Sequence, residues 1–512
     1  MKHDRLSHIV LSLTAGGLLL LGLFCLLNEK PLLVRAAPGD LFVRPFGSGD
    51  CSQGNPCDLD SALSQAIEGD TLYVAQGVYT SSGDAVVTVT RSITLYGGWD
   101  GTATTPVVRD PEMNPTILDG EDARRVVTIA GDISPTLDGF IITRGQANHA
   151  SYLAGHGGGI FSEEASPIIR DNTIISNTAS IAPTGGKGGG IYLDGASASA
   201  RISGNRVLSN TVHGEGWSDG GGGLYLSDSD VTVQSNLIQG NTTDQAGGGI
   251  YIACCGTFRI LDNEIRSNTS ALNGGGIYSR FSSLPHIQGN LIVDNSAAWY
   301  GGGAMFTNGP QPTFVANRVF SNTADSGAGV LVTGSGHYTL TNNVVARNDN
   351  GGISIWKGTR NDLVAHNTVV LNGGLQGGIV LDGGFITPTV VSNIVVSNTY
   401  GIRAHFSASG TLDYNDVWGN EVQDYDLPGT LESGVHDIQA DPLFVDQAED
   451  DFHLRAGSPC IDAGTDAGVR ADLDGDSRPI GDGYDIGADE ARLHVYLPLV
   501  NKGSPSDGAA AR

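Results

Sequence analysis

The chain has 512 residues, of which only 16% are charged, and it carries 55 acidic against 28 basic side chains for a formal charge of -27. That surplus of negative charge excludes the basic surface that nucleic-acid backbones and anionic membranes require, and leaves a neutral or calcium-bridged partner. Glycine supplies 74 residues without a three-residue period, which excludes a collagen-like rod and assigns glycine to turns and close backbone approach.

In chain order, Lys2 and Arg5 precede an apolar run over 9–27, and Val34-Arg35-Ala36 offers a small-residue cleavage site. This is the pattern of an export signal over 1–36, with an uncleaved anchor as the alternative that the run's length allows. Cys51 and Cys57 are close enough to close a small loop by a disulfide outside the cytoplasm. Cys254, Cys255 and Cys460 show no zinc-type spacing and read as buried or idle thiols. Within a cap over 37–85, residues 60–67 predict a short amphipathic helix that plugs an open end of the fold. Strand-like runs at 86–96, 125–129 and 140–143 follow as irregular first coils.

From Asn172 to Asn420 the chain spells Asn-x-(Ile or Val)-x-x-Asn ten times, each copy 13 to 15 residues after a glycine cluster. The first asparagines fall at 172, 205, 236, 263, 290, 317, 343, 367, 393 and 415, so the period starts at 33, settles at 27 and shrinks to 22. A unit this short cannot bury an apolar face alone and must stack on its neighbours. Each repeat holds short runs rich in Ile, Val and Tyr between Gly, Ser and Asn, and no helix fits. The fold class predicted is all-β: a right-handed parallel β-helix over 86–425, with three short strands per coil, a capping helix and stacked asparagines. A side-chain amide both donates and accepts, and asparagine tolerates left-handed corners, so it suits such a stack.

Alternation places Ile160, Ile191, Leu224, Ile250, Ile277, Ala304, Val330, Ile353, Ile379 and Ile402 inward. By the same parity Phe161, Tyr192, Tyr225, Tyr251 and Tyr278 point outward as an exposed aromatic column. After Asn420 the acidic, turn-rich segment 426–490 predicts an irregular cap on the other end, followed by a tail over 491–512.

At this point the residues match a family. Glu68-Gly69-Asp70-Thr71-Leu72-Tyr73-Val74-Ala75, Gly97-Gly98-Trp99 and Leu137-Asp138-Gly139-Phe140 resemble the opening coils of secreted bacterial right-handed β-helix proteins of the pectate-lyase-like kind. The glycine-led repeats are similar to those of polymorphic outer-membrane proteins. Gly457-Ser458-Pro459, Ile461-Asp462-Ala463-Gly464 and Asp485-Ile486-Gly487-Ala488 with Glu490 resemble the choice-of-anchor Q module. Val495-Tyr496-Leu497-Pro498 resembles a short tail of exported bacterial proteins. The fold implied hosts lyases, hydrolases and adhesins alike, so the resemblance speaks to architecture more than to activity.

In the pectin-acting members of that fold the substrate lies along the glycine-led face. Here the loops beside it are longest early, at 178–187 and 211–219, which predicts a groove deepening toward the N-terminal coils. Sugar rings stack on aromatic faces, so Tyr192, Trp217, Tyr225, Tyr251, Tyr278 and Trp299, with Tyr300, are candidate substrate-binding residues; mutual support of successive strands is the alternative use for the column. Glu163 and Asp194 take equivalent outward positions on consecutive coils and, with His213 nearby in the chain, form a candidate acid/base pair for glycoside cleavage. The polygalacturonase and pectate-lyase residue sets are each incomplete. Asp472, Asp474 and Asp476 have the odd-position spacing of a calcium loop without the rest of an EF-hand, against the alternative of a self-bonding turn. The function expected is an exported, cell-surface or extracellular protein that binds polysaccharide or cell-surface glycan, or mediates adhesion. The alternatives are a polysaccharide lyase or glycoside hydrolase and a surface-layer component, with calcium the one ion implied.

Overall fold

The computed structural model describes residues 37–147, 155–180, 185–216, 218–281, 283–309, 311–356, 360–383, 386–405 and 408–492. The predicted export signal, all but the first two residues of the tail, and Trp217 lie outside the described residues.

The chain winds into a parallel β-solenoid of about 14 turns. One coil runs through a glycine-led strand Ile191–Asp194, a middle strand Ala200–Ser203, an asparagine-flanked strand Arg206–Leu208 and a two-residue strand Thr211–Val212. Stacking joins these into sheets of 13, 16, 13 and 6 strands respectively. The three strands expected per coil are present, and the fourth, short strand is an addition confined to six coils, from Gln146–Ala147 to Ser296–Ala297. Pairing is in register, Ile160 opposite Ile191 and Ile191 opposite Leu224. All ten predicted inward residues on the glycine-led strands are fully buried in one continuous bore, each aliphatic side chain contributing about 1.5–3 kcal/mol of apolar burial.

The glycine clusters sit where the chain swings into that sheet. A Cβ on Gly189 would lie 2.6 Å from the carbonyl oxygens of both Gly222 and Thr211, so only a bare backbone fits the corner.

Two asparagine columns run the length of the repeat. Asn295 shows the pattern: its backbone N–H and its Nδ2 donate to Asn322 Oδ1 at 2.9 and 3.0 Å, and Nδ2 also donates to the Ile265 carbonyl at 2.9 Å. Its own Oδ1 accepts from Asn268 N and Nδ2 at 3.0 and 2.9 Å. The columns end on carboxylates, Asp437 accepting from Asn415 and Asp424 from Asn420. A terminal carboxylate suits because it accepts twice and has no further coil to donate to. One expectation is corrected: the left-handed conformation belongs to the residue before each column asparagine, as at Asp171 (φ 55°), Ala316 (φ 52°) and Leu371 (φ 59°). The asparagine itself keeps its backbone in the ladder, and its predecessor makes the corner.

At the N-terminus the helix is Leu59–Gln65, capped by Asp58, whose side chain accepts from Ser61 N at 2.7 Å. Leu59 and Ala62 join the bore core, so the helix closes that end. Buried Asp70 accepts from Gly39 N and Ile67 N, both at 2.8 Å, tying the first coil together. Cys51 and Cys57 are disulfide-bonded, as their spacing predicts.

The C-terminal segment departs from expectation. The far end of the bore is closed by Leu431, packed with Leu412 and Ala408, and by Tyr425 and Leu427. Residues 436–438 still ride on the last coil, with Ile438 bridged to Asp416; the chain after 440 does not cover the end and lies along the flank of the solenoid. Phe444, Phe452, Leu454, Ile486 and Ala488 pack on Val344, Ala346, Val370, Ile394 and Val396, the outer faces of three asparagine-flanked strands. Ala488 N donates to Thr368 Oγ1 at 3.0 Å and Gly487 N to Ser392 O at 2.9 Å. Within the segment a fully buried Arg478–Glu490 pair at 2.5 Å and the Asp485 carboxylate, which accepts from Asp462 N and Ala491 N, knit the turns.

Candidate functional site

On the N-terminal coils Glu163 and Asp194 are paired across neighbouring glycine-led strands, which sets them one strand spacing apart, about 5 Å. Burial, then the Asp194 charge, raises Glu163 above the usual carboxylate range; burial raises Asp194 too, opposed by the Ser227 hydroxyl. Arg125 stands beside Glu163 with its guanidinium 4.4 Å from the Phe161 ring centre. His213 directs Nδ1 to Asp244 of the next coil at 3.0 Å and bonds neither carboxylate. Asp219 is buried in its own loop, accepting from Gly216 N at 2.6 Å.

The aromatic column follows its register, stacked with ring centres 5.3 Å apart for Phe161–Tyr192, 5.6 Å for Tyr192–Tyr225 and 4.8 Å for Tyr225–Tyr251, and edge-on at 5.1 Å for Tyr251–Tyr278. It is not exposed. All five rings are buried, and with Ala246, Met305 and Leu331 they form a second core outside the bore. The residues just before the glycine clusters cover them: His156, Lys187, Gly220 and Ala246 bridge one another from coil to coil. The Lys187 ammonium sits 5.1 Å over Tyr225. Gly220 passes so near Tyr251 that a Cβ would meet its ring at 2.9 Å. Tyr192, Tyr225, Tyr251 and Tyr278 therefore offer no free face to a sugar, and their stacking supports the strands.

The face opens further along. The short fourth sheet ends at Ser296–Ala297 and the covering bridges end at Ser326, while the outward column shrinks from Leu331 to Ser354. There a groove of about 590 Å³ is lined by Trp299, Tyr300, Trp356, Asn350, Gln376, Leu375 and others. Among the described residues those just before the early glycine clusters thus cover the face, and it opens over the later coils, the reverse of the groove direction expected from loop length. Trp299 is 45% exposed and Leu375 75%. Trp356, the last residue of strand Ile353–Trp356, meets Tyr300 edge-on with ring centres 5.1 Å apart. Four polar atoms in this lining, Ser326 Oγ, Asn350 Oδ1, Trp356 Nε1 and Gln376 Oε1, are buried without a hydrogen-bond partner. Buried polar groups are normally satisfied, so a cluster of unsatisfied ones beside exposed Trp299 makes this groove a candidate site. Trp299 and Tyr300, candidates from the sequence, line this groove, and Trp356 joins them; its signal in the sequence is an aromatic at the second outward strand position that Glu163 and Asp194 occupy earlier.

The three aspartates of the expected calcium loop do not converge. Asp472 is buried and accepts from Asp474 N, Asp476 N and Glu490 N. Asp474 pairs with His453 at 2.6 Å and Arg318 at 3.3 Å, and Asp476 with Arg492. Each carboxylate is spent on the turn or on a cation, as a self-bonding turn requires. Cys254 lies 3.6 Å from the Asp228 carboxylate, and burial followed by the Cys255 contact pushes its thiol up to about 12.

Residues 134–290 and 189–372 match the family described as the right handed beta helix region. Among solved structures the chain is similar to a pectate lyase, Pel9A (13% identity, TM-score 0.39, covering 90% of this chain and 98% of that one). It is also similar to a PL6 family alginate lyase, AlyGC (15%, TM-score 0.40, 79% of this chain and 54% of that one), and to XylC in complex with xylose (11%, TM-score 0.38, 79% and 87%). The chain thus spans about half of the alginate lyase. No curated protein sequence matches it. The stretch that matches, 134–372, is the part of the parallel β-solenoid built by the glycine and asparagine repeats described above.

Proposed function

We propose that this is an exported protein that holds polysaccharide on its glycine-led face, at the cell surface or outside the cell. The groove around Trp299, Tyr300 and Trp356 carries the reading: a sugar ring has an apolar C–H face for the indoles and hydroxyls for the unsatisfied polar atoms between them. The apolar N-terminal run supports export, and the likeness of the C-terminal segment to an anchor module supports attachment to the envelope and a part in adhesion. Affinity electrophoresis against a panel of polysaccharides tests the reading. Retention is expected for at least one, weakened about tenfold in Trp356→Ala and in Trp299→Ala; retention untouched by both substitutions would show that the groove is not the site.

A second reading keeps one specific observation. Glu163 and Asp194 are in-register neighbours on adjacent strands, an arrangement compatible with the short carboxyl separation of a retaining glycosidase, and both are raised above ordinary carboxylates. Asp194 stands six strand pairings from Trp356 and Glu163 seven, roughly 29 and 34 Å, so one sugar cannot touch both sites. Incubation with polysaccharides and calcium, followed by assay of reducing ends and unsaturated products, separates the two. Product that vanishes in Glu163→Gln favours the enzyme, and retention without product favours binding.

A further inference from the structure

We infer that the groove selects a neutral glycan chain and turns away polyuronates and other acidic glycans, an inference that rests on the glycan-binding reading above. Three observations point the same way. The first is the charge around the aromatics. Asp382 is the in-register neighbour of Trp356 on the next strand, and exposed Asp325 lines the groove as well. Among the described residues no lysine or arginine lines it. Nearby Arg403 is already committed, donating to the Leu375 carbonyl at 2.7 Å, pairing with Asp426 at 2.9 Å and lying 4.4 Å over Tyr400. The His405 ring, also nearby, is turned to Asp382, with Nδ1 3.2 Å from its carboxylate.

The second observation is the polarity of the unsatisfied atoms. Asn350 Oδ1 and Gln376 Oε1 can only accept, Ser326 Oγ can do either, and only Trp356 Nε1 is restricted to donating. The Asn350 orientation is set by its own Nδ2, which donates to the Asp325 carbonyl. Two carboxylates and two amide oxygens therefore ask a ligand for donors. The hydroxyls of a neutral sugar supply them. A uronate replaces a donor with an acceptor-only carboxylate and brings a further negative charge toward Asp325 and Asp382, the repulsive element by which a site rejects a near-isostere.

The third is the field of the whole molecule: a formal charge of -27 adds a long-range barrier to any polyanion and none to a neutral chain.

Isothermal titration of the purified protein with cello-, xylo- and manno-hexasaccharides, hexagalacturonate and a chitosan hexamer tests this. At low salt a neutral hexasaccharide is expected to bind at least about tenfold more tightly than hexagalacturonate, with the gap narrowing as salt screens the carboxylates. Asp325→Asn, on an exposed side chain, is expected to narrow it as well. Hexagalacturonate binding as tightly as the best neutral ligand, or binding by the chitosan hexamer alone, overturns the assignment. If that unexpected ligand is still lost in Trp356→Ala, the glycan reading survives and only its charge preference falls. Failure of every glycan to bind removes both.

Discussion

At the residue scale the molecule is governed by its two asparagine columns. Each internal asparagine gives and accepts in three directions at once, so its loss orphans groups on both neighbouring coils. Asn295→Ala would leave Asn268 N without its acceptor, take one of two acceptors from Asn268 Nδ2, and remove the side-chain donor to the Ile265 carbonyl. At roughly 1–3 kcal/mol for each buried unsatisfied group, partly recovered by relaxation, a loss of about 3 kcal/mol is expected in denaturant unfolding. A change below 1 kcal/mol would mean that the column is ornament. The corner residues make the opposite prediction. Ala316 is held at φ 52°, a conformation that costs an alanine about 1 kcal/mol relative to glycine. Ala316→Gly should therefore raise the unfolding free energy by several tenths of a kcal/mol to about 1, read by the same denaturation. The asparagine columns were legible because one residue type recurs at one spacing. The corners were not, since Asp, Ser, Ala, Leu, Arg, His and Tyr all occupy them, and only the backbone angle unites them.

At the element scale the glycine-led strands and the C-terminal segment show how burial redirects residues that look exposed by parity alone. Period two separates inside from outside the bore but is silent on what lies outside. The rings from Phe161 to Tyr278 are outward, and a further layer of backbone covers them. For the flank a signal was present. The asparagine-flanked strands change from Glu264–Arg266, charged on the outside, to Val344–Ala346 and Ile394–Val396, apolar on both faces. Strands apolar on both faces need two covering layers, and the segment after 440 is that second layer.

The docking of this layer should depend on pH. Burial pushes Asp416 up to about 6 and Asp485 to about 7. At His453 burial, which lowers the ring, is outweighed by hydrogen bonds to Asp474 and Asp451, leaving it raised to about 9. A carboxyl raised on folding binds its proton more tightly in the folded state, so stability is lost as pH climbs from about 4 through 6 and 7. A histidine raised on folding contributes fully below about 6.5 and loses that contribution as pH rises through about 9. Both slopes have the same sign. Asp451 and Asp466, which are lowered, oppose them only below about pH 4. Hydrogen exchange of strands Phe444–Asp446 and Asp451–Leu454, corrected for intrinsic rate, should show less protection near pH 9 than near pH 5. Equal protection would contradict the proton linkage.

At the scale of the whole molecule the solenoid and its flank form a division of labour. Each coil needs only its neighbours, but the apolar strip from Phe320 to Val396 needs the segment after 440. A chain ending at residue 439 should keep its β-sheet circular dichroism, since the bore remains closed by Leu431. It should also bind a hydrophobic dye and self-associate, because the uncovered strip is a contiguous apolar patch. A monomeric, dye-silent truncation would mean that the segment contributes little to covering the strands.

The sequence by itself determined the solenoid, its inward residues, the asparagine stacks and the Cys51–Cys57 bridge. Each follows from local periodicity or from neighbours in the chain, and a stack of near-identical coils turns local pattern directly into global form. Only the tertiary structure decided which outward residues meet a partner: that Tyr192 to Tyr278 are roofed over, that His213 turns to Asp244, that Asp472, Asp474 and Asp476 part company, and that Trp299 and Trp356 share an open groove. These depend on where loops of unequal length lay themselves across the face and on a segment that returns over some hundred residues of chain. Exposure is a property of what covers a residue, and no period in the sequence encodes the cover.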